Sequence, residues 1–152
     1  MGLKEQYQKL AKKHKLPSFN SLNNEFEIIS IEETKFLFRE IRRKITEKIE
    51  LYVKVLDGLL HPEAGLCELL ECRVFSDEDK SEMFALYKKL MFLDRLSIES
   101  AIDEDDKKSS DFINEVWNQW DDVKKKFLPI AKKMKGSWLK DTDIKEELGY
   151  MG

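Results

Sequence analysis

SIEETKFLFREIRRKITEKIELYVKVLDGLLHP, residues 30–62, is the stretch that sets the architecture of this chain. Ser30-Ile31-Glu32-Glu33 has the form of a capping box, in which the Ser30 hydroxyl accepts from the Glu33 amide and the Glu33 carboxylate accepts from the Ser30 amide. Leu37, Ile41, Ile45, Ile49, Tyr52 or Val53, Leu56 and Leu59 or Leu60 then recur at spacings of three and four, so a 3.6-residue period puts them on one face. His61-Pro62 ends the pattern, because proline disfavours helical backbone at the residue before it. The expectation is an amphipathic helix over 31–60, about eight turns long.

Toward the N-terminus, residues 3–15 read as a helix with Leu3, Tyr7, Leu10 and Ala11 on one side and lysines around the rest, ending before Pro17. Ser18 can cap a short helix near 18–25 in which Phe19, Leu22 and Phe26 share a face, and Glu27-Ile28-Ile29 reads as an extended link. Toward the C-terminus, Pro62 suits a first helical position, giving a short helix over 62–72 with Leu66, Leu69 and Leu70 inward. Ser76-Asp77-Glu78-Asp79 opens a helix over 77–102 whose stripe is Met83, Phe84, Tyr87, Leu90, Met91, Ile98 and Ile102. The run 103–110 reads as a loop, with Ser110 or Asp111 capping a last major helix over 110–135. That helix holds Phe112, Ile113, Val116, Trp117, Trp120, Val123 and Phe127, and Pro129 is expected to kink or split it near Lys125 or Lys126. Gly136 is a natural stop, and 137–152 reads either as a short docked helix or as a mobile tail. The fold class expected is all-α: one domain, 1–152, built as a bundle of about four major helices plus short ones.

Bulk properties narrow the function. At 152 residues the chain can bury a core without disulfides or metals. Its 27 basic and 30 acidic residues leave a net charge of -3, so no global field draws in nucleic acid or anionic membrane. Met1–Lys15 lacks the apolar core of a signal peptide, and no apolar run approaches the roughly 20 residues of a membrane span. Cys67 and Cys72 lie five apart, where helical side chains diverge and a disulfide would be strained, so reduced thiols and a cytoplasmic setting are expected.

Motifs for catalysis are missing. There is no Gly-x-Ser-x-Gly elbow, phosphate-binding glycine loop or dinucleotide fingerprint, and neither histidine has an arginine five residues upstream. His61, Cys67 and Cys72, even with His14 or Glu63, have no zinc-site spacing, and the Asp103–Asp106 run lacks the alternation of a calcium loop and reads as a solvated turn. No enzyme activity, cofactor or metal is therefore expected. Two basic groups remain. Arg39, Arg42, Arg43 and Lys44 cluster on the long helix, where guanidinium groups can meet phosphates or a partner's carboxylates; interleaved Glu40, Glu47 and Glu50 give the competing reading of a solvated, locally paired face. Lys124, Lys125, Lys126, Lys132, Lys133 and Lys135 form the second, with Trp120 and Trp138 as stacking platforms or, for Trp120 above all, as packing groups.

The segment Leu16-Pro17-Ser18-Phe19 through Phe26-Glu27-Ile28, followed by Phe36-Leu37-Phe38-Arg39-Glu40-Ile41-Arg42-Arg43-Lys44-Ile45, resembles an uncharacterised group of small helical archaeal proteins. The resemblance covers about the first 60 residues and implies a cytoplasmic prokaryotic setting, with no activity, cofactor or site to carry over. The favoured function is a non-catalytic adaptor or regulatory protein that binds another protein through a helix face or groove. The alternatives are an RNA- or ribosome-associated factor using the basic patches, and an enzyme whose site forms only in the fold.

Overall fold

The computed structural model describes residues 2–63 and 65–140. Among them every regular element is helical: α1 (Leu3–His14), α2 (Phe19–Phe26), a 3₁₀ turn (Ile28–Ser30), α3 (Leu37–Leu60), α4 (Leu66–Cys72), α5 (Asp77–Ile102) and α6 (Asp106–Ser137). The all-α expectation holds, with α1, α3, α5 and α6 as the four major helices. No helix among the described residues is long and apolar enough to cross a membrane. The expected tail is reached only in part: 138–139 are a turn, and residues 141–152 lie outside the described residues.

Contacts cluster into two compact units, one comprising Met1–Val53 and Lys89–Asp121, the other Lys54–Lys88 and Asp122–Gly152. In the first, Ser18 caps α2 by accepting from the Ser21 amide at 3.1 Å, and Tyr7 is fully buried with its hydroxyl donating to the Pro17 carbonyl at 2.6 Å. Burial pushes the Tyr7 phenol well above its ordinary pKa, so it stays a neutral donor. Leu37, Ile41, Ile45 and Ile49 are buried along α3, as its periodicity requires. In the second unit Leu56 and Leu59 continue that row, and Ser76 and Asp79 form a reciprocal cap at the start of α5, with both hydrogen bonds at 3.0 Å.

Several local expectations are corrected. The 27–29 link is not extended: Glu27 takes a left-handed C-cap conformation, φ 54°, and the chain turns through Ile28–Ser30. The Ser30 capping box does not form. The Ser30 hydroxyl donates to the Glu27 carbonyl at 2.8 Å and the Glu33 carboxylate accepts from the Lys35 amide at 2.8 Å, so both halves of the box are engaged locally and α3 begins at Leu37. Pro62 lies before α4, not in it, because Glu68 accepts from the Glu63 amide at 2.8 Å and holds a loop there; Leu66 is then exposed rather than inward. Helix α6 starts at Asp106, since Asp105 caps it with its carboxylate on the Lys108 amide at 2.7 Å, and Ser109 and Ser110 are buried within it. Helix α6 then runs unsplit past Pro129. On α5 the buried row is Met83, Leu86, Leu90 and Leu93, while Phe84, Ile98 and Ile102 face outward.

Candidate functional site

In the first unit, the arginine face of α3 is engaged by an acid from the 103–106 run. Arg39 Nε and Nη2 donate to the two Glu104 oxygens at 3.1 and 2.9 Å, and Arg42 Nη2 donates to Glu104 Oε1 at 3.2 Å. Arg42 is only 8% exposed, and its Nη1 is buried with no hydrogen-bond partner among the described residues. Arg43 is exposed and pairs with Glu40 at 3.4 Å, and Lys44 is half-buried. Arg39 and Arg42, by hydrogen bonding to the ionised form, hold the Glu104 carboxyl below its ordinary value of 4.5, at about 2. The same bond holds Arg39 above its ordinary value. The acidic run is thus more than a solvated turn: Asp103 pairs with Lys108, Glu104 takes two arginines and Asp105 caps α6.

That depression fixes a pH signature. A carboxyl lowered by folding contributes stability present above its unfolded pKa and lost as pH falls through the folded one, here from 4.5 toward about 2. Glu104→Gln should therefore lie below the parent in urea midpoint at pH 7 and pH 5, with the gap roughly halved or better by pH 2. A gap unchanged down to pH 2 would show that Glu104 ionisation is not what the two arginines recognise.

Trp120 belongs to the core rather than to a surface. It is 1% exposed, stacks on Tyr52 at 5.5 Å between centroids, meets Phe26 at 4.9 Å, and donates from Nε1 to Glu25 Oε2 at 3.0 Å. Trp138, in the second unit, is exposed and donates from Nε1 to Glu71 Oε2 at 3.0 Å, which ties the turn after α6 to α4. Cys67 and Cys72 are free, and no group of three or more His, Cys, Asp or Glu among the described residues is arranged to hold a metal. The Cys67 thiol sits above its ordinary pKa through desolvation and then through the Glu71 carboxylate that accepts its S–H. Such a thiol is a poor nucleophile.

Two concave sites of about 450 Å³ each lie within single units. The first unit's cleft is lined by Gln6, Lys9, Thr34, Phe36, Arg39 and Glu104 among others, and its guanidinium is already bound to Glu104. The second unit's groove is built differently. Helical spacing brings Asp79, Met83 and Leu86 of α5 to one wall and Lys126, Ile130 and Lys133 of α6 to the other, with Phe75 below the α5 cap. Phe75, Met83, Leu86 and Ile130 are buried and form an apolar floor; Ala85, Glu82, Lys125 and Pro129 are exposed along the rim. Lys133 Nζ donates to Asp79 Oδ2 at 2.7 Å and lies 5.8 Å from the Phe75 ring centre. That hydrogen bond, together with the Ser76 cap, holds the Asp79 carboxyl below its ordinary range.

Of the sequence candidates, the groove therefore unites Lys125 and Lys133, with Lys126 beside them paired to Asp122 at 3.0 Å. Lys124 and Lys132 lie on the same stretch of α6 and are exposed. Sequence reading missed Phe75, Leu86 and Pro129 as groove formers. Proline at 129 was the available signal: it has no N–H for the Lys125 carbonyl, so one bond of the helix ladder is missing there. The groove thus combines a volume in the range of ligand pockets with an apolar floor and a charged rim. No family model, curated protein or solved structure matches this chain.

Proposed function

We propose that this chain is a non-catalytic adaptor or regulatory protein, acting in the cytoplasm, that docks an acidic amphipathic helix of a partner protein in the groove between residues 75–86 and 125–133. The observation that carries this reading is the pairing of a buried apolar floor with a basic wall. Residues 122–140 hold seven lysines and one acid, and the floor side chains recur at helical spacing, which fits anchors at i, i+3 or i+4 on an incoming helix. The RNA-binding alternative keeps the lysine stretch but has less support, because Arg39 and Arg42 are engaged by Glu104 and Trp120 is buried.

A photo-cross-linking residue placed at Ala85, exposed on the groove rim, tests the reading in lysate of the source cell, with Asn118, exposed in the other unit, as the control position. The expected result is one protein captured at Ala85 and not at Asn118, surviving nuclease, and reduced about tenfold by Lys125→Glu. Nuclease-sensitive capture would move the lysine stretch to nucleic acid, and equal capture at both positions would remove the groove from the function.

A further inference from the structure

We infer that helix α5 carries a second interaction surface, on the outward face of residues 91–102, and that its partner is a second copy of this chain lying antiparallel across it. This goes beyond the docking reading and is independent of it, because residues 89–102 belong to the first unit and the groove to the second. Within this stretch α5 is apolar on two sides. Leu90 and Leu93 are buried, whereas Phe92, Ile98 and Ile102 face outward, the last two 48% and 81% exposed. Met91, Arg95, Ile98 and Ile102 fall at i, i+4, i+7 and i+11, so at about 100° per residue they lie within an arc of about 60°. Spacings of four, three and four are the seam pattern of a coiled coil, in which such a face is covered by another helix.

Charge selects both the occupant and its direction. Arg95 stands in the middle of the seam with Glu99 one turn along, and both are exposed. Arg95 Nη1 donates to the Asp94 carboxylate at 2.6 Å, which uses one of the five N–H donors of the guanidinium. In a parallel pair the two Arg95 side chains would face each other across the seam, a like-charge contact that costs affinity. An antiparallel pair removes that conflict. With a two-fold axis level with residue 97, each Arg95 lies beside Glu99 of the other copy, each Met91 beside Ile102, and Ile98 beside its own equivalent. One operation therefore produces two opposite-charge pairs and a shared apolar strip. The face is self-complementary, which is what an isologous interface requires.

Sedimentation velocity on the full chain, from about 1 µM to about 1 mM, tests the proposal. The parent should pass from monomer to dimer over this range. Arg95→Glu and Glu99→Arg each place like charges at both contacts, so each variant alone should dimerise about tenfold more weakly than the parent or worse. An equimolar mixture of the two should recover the dimer, because opposite charges then meet at both contacts, but only between unlike chains. Arg95→Glu also sets an acid beside Asp94, which is buried. Should that variant fail to fold by circular dichroism, Glu99→Arg and Ile98→Asp, both at exposed positions, decide the matter, each expected to weaken the dimer about tenfold or more. A parent that stays monomeric to about 1 mM would overturn the proposal. So would a dimer that these variants leave unchanged, or a mixture of the two folded charge variants that stays monomeric. The Ala85 capture from lysate reads only the groove, so either result here leaves the docking reading to its own test.

Discussion

Trp120→Ala should lower the unfolding free energy by about 3–5 kcal/mol, the usual range for emptying a buried tryptophan site. Three layers of contact disappear together. The indole stacks on Tyr52 with an interplanar angle of 8° and tilts against Phe26, so removing it leaves a cavity bordered by aromatic faces that cannot close without leaving their rotamers. Its Nε1–H is the donor to Glu25 Oε2, and Lys48 both pairs with that carboxylate and lies 5.8 Å from the indole ring centre. Glu25, half-buried on α2, would keep its charge and lose a donor, a penalty on top of the cavity. Trp120→Phe separates the contributions: it retains most of the packing and should lose about 1–3 kcal/mol. Urea denaturation followed by far-ultraviolet circular dichroism reads both. A Trp120→Ala loss below about 1 kcal/mol would mean that the site collapses freely and that the indole is not a fixed part of this core.

Pro129→Ala should move stability the other way, by up to about 3 kcal/mol, the difference between proline and alanine in a helix interior. Pro129 stands well inside α6, which runs from Asp106 to Ser137. It has no N–H for the Lys125 carbonyl and its ring crowds the preceding turn. Alanine restores the donor and relieves the crowding, and the position is exposed, so no core contact is lost. The same substitution should weaken partner binding at the groove, because Pro129 forms part of its rim between Lys125, Lys126 and Ile130. A variant that melts higher and binds less would identify the proline as stability given up for the shape of a site, a trade common at functional positions. A Pro129→Ala protein no more stable than its parent would show that α6 has already adapted its hydrogen bonding around the ring.

Local signals located most of the helices. Ser18 and the Ser76–Asp79 pair act as the caps their positions suggest, and His61-Pro62 ends α3 where expected. These succeed because capping and proline sterics involve groups within four residues of each other. The Ser30 box failed for a related reason: a serine hydroxyl and a glutamate carboxylate have several nearby backbone partners, and here the Glu27 carbonyl and the Lys35 amide took them. Five positions upstream of Ser110, Asp105 preempted the expected start of α6 in the same way by capping it through the Lys108 amide.

The sequence by itself determined that this is a helical protein, where its long helices lie, and that one half of α6 is basic, since periodicity, caps and charge counts are properties of short stretches of chain. Tertiary structure alone decided which side of α5 is buried: the helix carries apolar residues around much of its circumference, so spacing could not choose Leu86 and Leu93 over Phe84 and Ile98. It also decided which charges remain available. Glu104 meets Arg39 and Arg42 from 65 and 62 residues away, and Asp79 meets Lys133 across 54. Pairings at such separations depend on how the chain closes on itself, and no local pattern of charges encodes them. The groove is of the same kind, because its floor and its basic wall come from segments that only folding brings together.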